Sequence, residues 1–256
     1  RNGCSAEYVA AFEAEATRIP ENLSWAQAAA APTVVCTAYR GLIGVGKLKA
    51  GGAVLVHGAS GGVGFASARL AVELGCKVWG TCSHANTETL RSAGVIPLDY
   101  TAADFERVIE DASLDLVMDA VGGDDYYTRS LPLLRRGGRY VTAVGPVRHG
   151  GSTPVTYGVM LRTAATLLPR LARNALALRT YHIFLSFNAS DLRQEIVLRH
   201  VAALVRLSPR ELQLEQLAQA HQMSETHHSD GKLVIRILSD AEAREVRRLL
   251  GARSRE

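Results

Sequence analysis

Short apolar runs alternate with amphipathic stretches along the first part of the chain. Strands are predicted at residues 53–57, 77–81, 95–98, 114–120 and 139–144, and helices between them at residues 63–74, 86–93, 103–111 and 126–135. Gly75 and Gly94 follow two of these helices as C-terminal caps, and Gly137 with Gly138 predicts a turn. Strands that alternate with helices in this way form parallel sheets with right-handed crossovers. The expected fold class is therefore α/β, with a doubly wound parallel sheet.

The C-terminal part of the chain alternates less regularly. Helices are predicted at residues 159–178, with a break at Pro169, and at residues 192–207 and 239–255; strands are predicted at residues 181–187 and 232–237. The apolar stretch 26–38 is interrupted by Pro32 and by polar residues, so it falls short of the roughly 18 apolar residues that a spanning helix needs. We therefore predict no membrane span.

A glycine-rich turn follows the first predicted strand and opens the helix after it. Its sequence is Gly58-Ala59-Ser60-Gly61-Gly62-Val63-Gly64. Glycines let the backbone approach a pyrophosphate, and the helix N-terminus directs N–H groups and a positive dipole end at the phosphates. A tight turn that binds nothing has the same local pattern. The strand before the turn, the helix after it and the second strand beyond favour a dinucleotide-binding Rossmann sheet.

The end of the second strand bears on the choice between NAD and NADP. NAD-binding sheets usually place Asp or Glu about 20 residues after the turn, where it holds the ribose hydroxyls. Residues 81–86 contain no carboxylate, so a cofactor with a 2′-phosphate is tolerated and NADPH is expected. His84 and Arg91 are candidates to neutralise that phosphate. Ser83 is also placed to cap the following helix, and the two roles are compatible.

Composition excludes some classes of function. The formal charge is +4, but the 29 Lys and Arg residues are spread along the chain, whereas a nucleic-acid surface needs them clustered. The four cysteines, at positions 4, 36, 76 and 82, form no Cys-x-x-Cys pair, so no zinc site is predicted and a reducing compartment is indicated. The pair His227-His228 suits a solvated loop better than a metal site.

Six stretches together resemble the quinone-oxidoreductase branch of the medium-chain dehydrogenase/reductase superfamily. They are residues 3–9, 28–42, 58–64, 98–100, 119–123 and 231–234. The first resembles the end of that family's first domain and the second its connecting helix. Residues 159–187 are most similar to the mitochondrial reticulon-4-interacting protein 1 type. Polyketide-synthase enoyl reductase domains share the glycine turn but look less similar at residues 119–123.

The resemblance implies a domain plan. Residues 1–32 end a GroES-like substrate domain, 33–205 form the Rossmann domain, 206–238 return to the GroES-like domain, and 239–256 form a charged helix or tail. The sheet is therefore accompanied by the remnant of a β-rich domain, most of which lies upstream of Gly3. That domain supplies one wall of the active-site cleft in the family. Asp230 stands where members often carry Arg, and a carboxylate near a phosphate repels it.

The resemblance also implies which residues contact NADPH. Thr37 lies by the nicotinamide, Ser83 and Tyr100 meet the adenosine 2′-phosphate, and Lys232 lies near the phosphates. The pyrophosphate is held by Ser60, Gly61, Gly62, Val63 and Gly64, the ribose lies over Val121 and Gly122, and the nicotinamide is backed by Leu185, Ser186 and Phe187. Purely structural roles remain open for four of these: a turn cap for Thr37, half-buried packing for Tyr100, core for Phe187 and an exposed strand start for Lys232. No catalytic residue is predicted.

The implied activity is zinc-independent hydride transfer from NADPH to a small quinone, enone or carbonyl substrate, by a homodimer or a subunit of a larger complex. The alternative is a non-catalytic descendant that serves as a structural or assembly subunit, for example of a mitochondrial ribonucleoprotein. A sequence pI of about 9.0, the missing first domain, Asp230 and the charged tail favour it, and only there is nucleic acid a partner. The expected location is the mitochondrion, with the cytoplasm as the alternative.

Overall fold

Six parallel strands form the central sheet of the protein, whose computed structural model describes residues 6, 9–13, 16–146, 156–174, 180–183, 201, 209–225, 232–238 and 242. The strands are β1 (Ala53–His57), β2 (Lys77–Cys82), β3 (Ile96–Asp99), β4 (Leu114–Asp119), β5 (Leu134–Thr142) and β6 (Thr180–Ile183). Their order is β3-β2-β1-β4-β5-β6, and each neighbouring pair is parallel. The strand order reverses between β1 and β4, which confirms the doubly wound α/β sheet.

Helices cover both faces of this sheet. They are α1 (Trp25–Tyr39), α2 (Gly62–Glu73), α3 (Thr87–Ser92), α4 (Asp124–Ser130), α5 (Tyr157–Asn174) and α6 (Leu217–Glu225). On one face, Val54 and Val56 of β1 pack in a core with residues of α1, α2 and α3. On the other face, Leu55 and Val117 pack with Phe105 and with Tyr127 of α4. Adjacent strand residues therefore point into different cores, as a doubly covered sheet requires.

Helix α1 begins at a reciprocal cap and runs without a break into the turn before β1. Ser24 Oγ accepts a hydrogen bond from Gln27 N (3.2 Å), and Gln27 Oε1 accepts one from Ser24 N (2.9 Å). Pro32 lies inside the helix, which continues as a π-helical segment at Arg40–Val45. Among the described residues, the combined segment Trp25–Val45 is long and apolar enough to cross a membrane by length and composition alone. Half of it is buried inside the fold, and a core helix satisfies the same criteria.

Two predicted helices are shorter than the sequence pattern indicated. The stretch 103–111 contains only a 3₁₀ turn at Phe105–Arg107, because one turn suffices to bury the apolar residues Phe105 and Ile109. The helix predicted at residues 126–135 is wrong beyond Ser130, because β5 starts at Leu134. The Gly137-Gly138 turn is a bulge inside that strand, since Leu134 pairs with Leu114 while Arg139 pairs with Leu116.

The C-terminal predictions fare unevenly. Helix α5 forms, and Pro169 does not break it. Strand 181–187 is described as far as Ile183, while the predicted helices 192–207 and 239–255 fall almost wholly outside the described residues. The strand predicted at 232–237 is β8 (Leu233–Arg236), which pairs in parallel with β7 (Arg210–Gln213). The sequence pattern indicated neither β7 nor α6.

A buried arginine attaches α5 to the sheet. Arg170 is 7% exposed; it forms an ion pair with Asp124, and its guanidinium lies 3.8 Å from the centre of the Tyr127 ring. Asn174 at the end of α5 hydrogen-bonds the backbone of Tyr181 in both directions, at 2.7 and 2.8 Å. These polar contacts hold the helix against edge strand β6.

His57, the last residue of β1, is fully buried directly before the glycine turn. Its Nε2 lies 2.9 Å from Ser130 Oγ, and its ring packs against Phe105 and Tyr126 at centroid distances of 4.9 and 4.4 Å. Burial, assisted by the charge of Arg129, lowers the pKa of His57 to about 3. The folded protein therefore keeps this imidazole neutral, whereas the unfolded chain protonates it below about pH 6.5.

Acidification is expected to weaken the fold through His57. The unfolded state takes up this proton first. The contribution of the buried, neutral His57 to the free energy of unfolding is therefore fully present above about pH 6.5 and is lost as the pH falls towards 3. Between pH 7.5 and pH 5.0, the free energy of unfolding should fall by roughly 2 kcal/mol more in the wild type than in His57→Gln. Urea unfolding at both pH values measures this difference. His84→Gln, which alters an 89% exposed side chain, is the control; equal pH dependence in wild type and His57→Gln would contradict the prediction.

Candidate functional site

A cavity of about 510 Å³ lies at the carboxyl ends of the central strands, beside the glycine turn. Its size is within the range of small-molecule and cofactor sites. It lies where the strand order reverses between β1 and β4, the position at which open α/β sheets bind ligands. The lining residues are Val34, Gly58, Gly61, Gly62, Val63, Gly64, Ala120, Leu217, Ala220, His221, Ser224, Lys232, Leu233 and Ile235.

At two positions, the glycine turn makes contacts that leave no space for a side chain. Gly58 has a φ of +70°, and its N–H donates to the buried Thr81 Oγ1 at 3.0 Å. A Cβ on Gly58 would lie 2.8 Å from a methyl carbon of Val121. A Cβ on Gly64 would lie 2.6 Å from the carbonyl carbon of Gly58 and closer still to its oxygen. Glycine at these two positions lets helix α2 begin directly against the strand end.

Helix α2 directs its N-terminus at the cavity. Gly61 is the N-cap residue and, having no side chain, caps no backbone N–H of the first turn. The chain folds back here through a hydrogen bond from Gly61 N to Gly58 O (3.0 Å). The first N–H groups of a helix have no partner within the helix and carry the positive end of its dipole. Gly62, Val63 and Gly64 line the cavity, so this end of the helix suits an anionic ligand.

A second loop, after β4, closes the cavity beside the glycine turn. Asp119 is buried, and its Oδ1 accepts hydrogen bonds from the N–H groups of Val121 and Gly122, each at 2.9 Å. Gly122 has a φ of +80°, and a Cβ there would lie 2.7 Å from a methyl carbon of Val144. Val121 packs over Gly58 in turn. The structure thus brings the predicted residue Val121 to the glycine turn, while Gly122 follows it in the same loop and Ala120 is the loop residue that lines the cavity.

The opposite wall comes from the C-terminal part of the chain. Lys232 precedes β8, and its Cδ lies 3.3 Å from where a Cβ on Gly62 would be. The backbone carbonyl of Lys232 accepts a hydrogen bond from Arg210 N (2.9 Å), which ties the lysine to β7. Val34 of α1 also packs against Gly62. The lysine predicted to lie near phosphates is therefore in contact with the turn that would hold them.

Ser83 and Tyr100 lie side by side, because the residues before them, Cys82 and Asp99, are register partners in β2 and β3. Ser83 Oγ accepts a hydrogen bond from Asn86 Nδ2 (3.1 Å) and makes no cap bond to the backbone. Tyr100 is 57% exposed. The carboxylate of Asp99 accepts hydrogen bonds from Thr101 Oγ1 and N at 2.6 and 2.9 Å, and His84 Nδ1 lies 3.1 Å from it. These contacts, Thr101 first, hold the pKa of Asp99 below its usual value.

Several predicted contacts fall elsewhere. Thr37 is buried in α1 and donates to Thr33 O (2.7 Å), one turn beyond the cavity residue Val34. Arg91 is paired with Glu88 at 2.5 Å. Leu185, Ser186, Phe187, Asp230 and the pair His227-His228 lie outside the described residues. The sequence pattern did not indicate the cavity residues of α6, among them His221 and Ser224, because it did not predict α6 itself.

The described residues offer little reactive chemistry of their own. Within this part of the chain, no three His, Cys, Asp or Glu side chains group together to hold a metal ion, so we derive no step through zinc. Among the described residues, Cys36, Cys76 and Cys82 form no disulfide bond. Burial, with a smaller effect of Asp99, raises the pKa of Cys82 to about 11, which keeps it an unreactive thiol at neutral pH. The described lining of the cavity therefore suits the binding and orientation of a ligand.

Known proteins share this architecture. A quinone oxidoreductase from Coxiella burnetii is 30% identical, with a TM-score of 0.65 over 86% of this chain and 63% of that one. A putative inactive phenolphthiocerol synthesis polyketide synthase of Mycobacterium tuberculosis is 40% identical over 132 residues, which are 49% of this chain and 8% of that protein. The enoyl reductase CurK shares the fold, at 21% identity and a TM-score of 0.60 over 86% of this chain and 65% of that one. The chain spans less than two thirds of each.

A family model described as zinc-binding dehydrogenase matches residues 93–235. The match runs from the end of α3 to β8 and includes most of the residues that form the second loop and the opposite wall of the cavity. The similarity to polyketide synthases is more extensive than the sequence resemblance suggested, and the reticulon-4-interacting protein 1 type stays a prediction. Because the family model covers more than half of the chain, we conclude that this chain belongs to the zinc-binding dehydrogenase family of the medium-chain dehydrogenase/reductase superfamily.

Proposed function

We propose that the chain forms the cofactor half of a zinc-independent, NADPH-dependent reductase that acts on a quinone or on an enone-type substrate. The observation that carries the proposal is the cavity at the N-terminus of α2, which joins the glycine turn to Lys232. A dinucleotide pyrophosphate needs close backbone approach, free N–H groups and a cation, and the cavity supplies all three. When bound, the nicotinamide supplies the hydride.

The residues of this chain would bind and orient the cofactor. The first turn of α2 would hold the pyrophosphate, with Lys232 beside Gly62 balancing its charge. Val121 and Gly122, fixed by the buried Asp119, would support the ribose next to the turn. Rigid backbone contacts of this kind position a reacting group without reorganisation during the reaction.

The preference for NADPH is supported by the loop after β2 and by the state of Asp99. Ser83 and Tyr100 present hydroxyl groups at adjoining strand ends, where the adenosine ribose would lie. Asp99 is the nearest carboxylate there, and Thr101 and His84 already engage both of its oxygens. These contacts leave Asp99 fewer free acceptor sites for a 2′-hydroxyl than a carboxylate without such partners has.

The substrate class is supported by the relatives. The quinone oxidoreductase and the enoyl reductase share this fold, and both names describe reduction of an activated, electron-poor group. The cavity of this chain provides no paired carboxylates for acid–base work among its described lining residues. The substrate-facing groups would then come from outside this cavity.

Binding and turnover test the proposal. The full protein should quench or shift NADPH fluorescence with a micromolar Kd, bind NADH more weakly, and oxidise NADPH when a quinone or enone is added. Gly62→Asp should weaken NADPH binding about a hundredfold, because it places a carboxylate at the helix end that would hold the pyrophosphate. The added Cβ would lie 3.1 Å from a methyl carbon of Val34 and 3.3 Å from Lys232 Cδ, so urea unfolding of the variant is needed to separate lost binding from lost packing.

Gly44→Ala is the matched control for Gly62→Asp. A Cβ there lies 3.6 Å from the nearest side-chain atom, well away from the cavity lining. It should bind NADPH like the wild type. Absence of binding at saturating NADPH and NADH would refute the proposed function, and tighter binding of NADH would refute its NADPH assignment.

A further inference from the structure

Helix α6 presents one face to the glycine turn. Leu217, Ala220, His221 and Ser224 all line the cavity, and their spacing of three and four residues places them on a single side of the helix. The two apolar members lie deeper, since Ala220 is buried while His221 and Ser224 are exposed. The helix therefore carries two polar side chains that face the cavity and are accessible to a ligand.

The other groups that line the cavity define what such a ligand must be. They include the N-terminus of α2, which favours negative charge, and Lys232. None of the described residues that line the cavity is Asp or Glu. His221 can donate a ring N–H, and Ser224 can donate its hydroxyl. The polar side chains among the described lining residues, His221, Ser224 and Lys232, can therefore all donate to one anion.

We propose that α6 completes the anion site formed by the N-terminus of α2 and that His221, with Ser224 beside it, contacts the cofactor pyrophosphate. This inference rests on the proposed function and extends it to residues that the glycine turn does not predict. The 2′-phosphate is a poorer candidate for this contact. Ser83 and Tyr100, which mark the adenosine end at β2 and β3, do not line this cavity.

The pyrophosphate assignment predicts how a substitution of His221 affects the affinities for NADPH and NADH. NADPH and NADH share the pyrophosphate and differ only in the 2′-phosphate. A contact from His221 to the pyrophosphate must therefore contribute equally to the binding of both. A contact to the 2′-phosphate would contribute to NADPH alone.

The test compares His221→Ala and His221→Lys with the wild type, by calorimetric or fluorescence titration of NADPH and NADH. His221→Ala should weaken the binding of both cofactors about tenfold, the usual effect of losing one hydrogen bond to a charged group. His221→Lys, which retains a donor, should recover most of that loss. Ser224→Ala should weaken both by a few-fold. Gln222→Ala, on the same helix but outside the cavity lining, should bind like the wild type.

Unchanged affinity in His221→Ala for both cofactors would overturn the inference while leaving the proposed function standing. A loss of affinity confined to NADPH would overturn the pyrophosphate assignment, because it would place the contact at the 2′-phosphate. A wild-type protein that binds neither cofactor would overturn both the proposed function and this inference. Melting temperatures of the variants serve as the control for misfolding. We expect them to equal that of the wild type, because His221 is exposed and alanine is a good helix former.

Discussion

Gly64→Ala is expected to destabilise the fold by at least about 3 kcal/mol and to abolish cofactor binding. The added Cβ would lie 2.6 Å from the carbonyl carbon of Gly58, and nearer still to the oxygen. These are backbone atoms of the turn itself, so a side-chain rotation cannot relieve the clash. Either α2 moves away from β1, or the turn opens and loses the hydrogen bond from Gly58 N to Thr81 Oγ1. Urea unfolding and NADPH titration measure the two effects.

Substitutions at two other glycines serve as controls, because they replace glycine by alanine without a backbone clash. Gly61→Ala places its Cβ 3.4 Å from Gly58 O, an ordinary contact, and should cost less than about 1 kcal/mol. Gly44→Ala adds a Cβ in ordinary contact with the Arg40 side chain at a helical position, and should be neutral or stabilising by up to about 1 kcal/mol. If Gly64→Ala were as stable as these two controls, the close approach of α2 to the turn would be wrong.

Asp119→Ala is expected to destabilise the protein by about 2 to 4 kcal/mol, because it leaves the backbone N–H groups of Val121 and Gly122 without their acceptor. The loop after β4 would then lose the contacts that press Val121 against Gly58. NADPH affinity should fall at least tenfold in protein that remains folded. Unfolding by urea gives the first number, and titration below the unfolding transition gives the second.

Asp119→Asn provides the matched comparison. The amide keeps an oxygen that can accept both hydrogen bonds but removes the charge, so its cost should stay within about 1 kcal/mol. A loss in Asp119→Asn as large as that in Asp119→Ala would mean that the charge, and not the two hydrogen bonds, holds the loop.

The sheet was predictable because its strands and turns carry local signals. The apolar run at residues 53–57, the glycines after it and the helix that follows are neighbours in sequence, and one pattern rule covers them. The helix predicted at residues 103–111 fails for the opposite reason. Apolar residues at helical spacing were present, but a 3₁₀ turn buries Phe105 and Ile109 equally well. Tertiary packing, not periodicity, decided that element.

The candidate site was only half predictable. Its first wall follows from the glycine turn, but its second wall depends on α6 and on the approach of Lys232 to Gly62. Nothing local connects residues 58–64 with residues 217–235. Asp99 was also overlooked, since the rule for NAD sites examines the end of the second strand and this carboxylate arrives from β3 by register. Such information exists only in the pairing of strands and the docking of helices.

The cavity is complete only when the C-terminal wall is packed against α1. Val234 of β8 shares a buried core with Val34 and other residues of α1, and this contact keeps Lys232 against the turn. The glycine turn is formed by the sheet and α2 alone, whereas the complete cavity also requires β8 to be packed against α1. Apparent affinity scales with the competent fraction of a population. Substitutions of Val234, which does not line the cavity, would therefore alter cofactor affinity from outside the binding site.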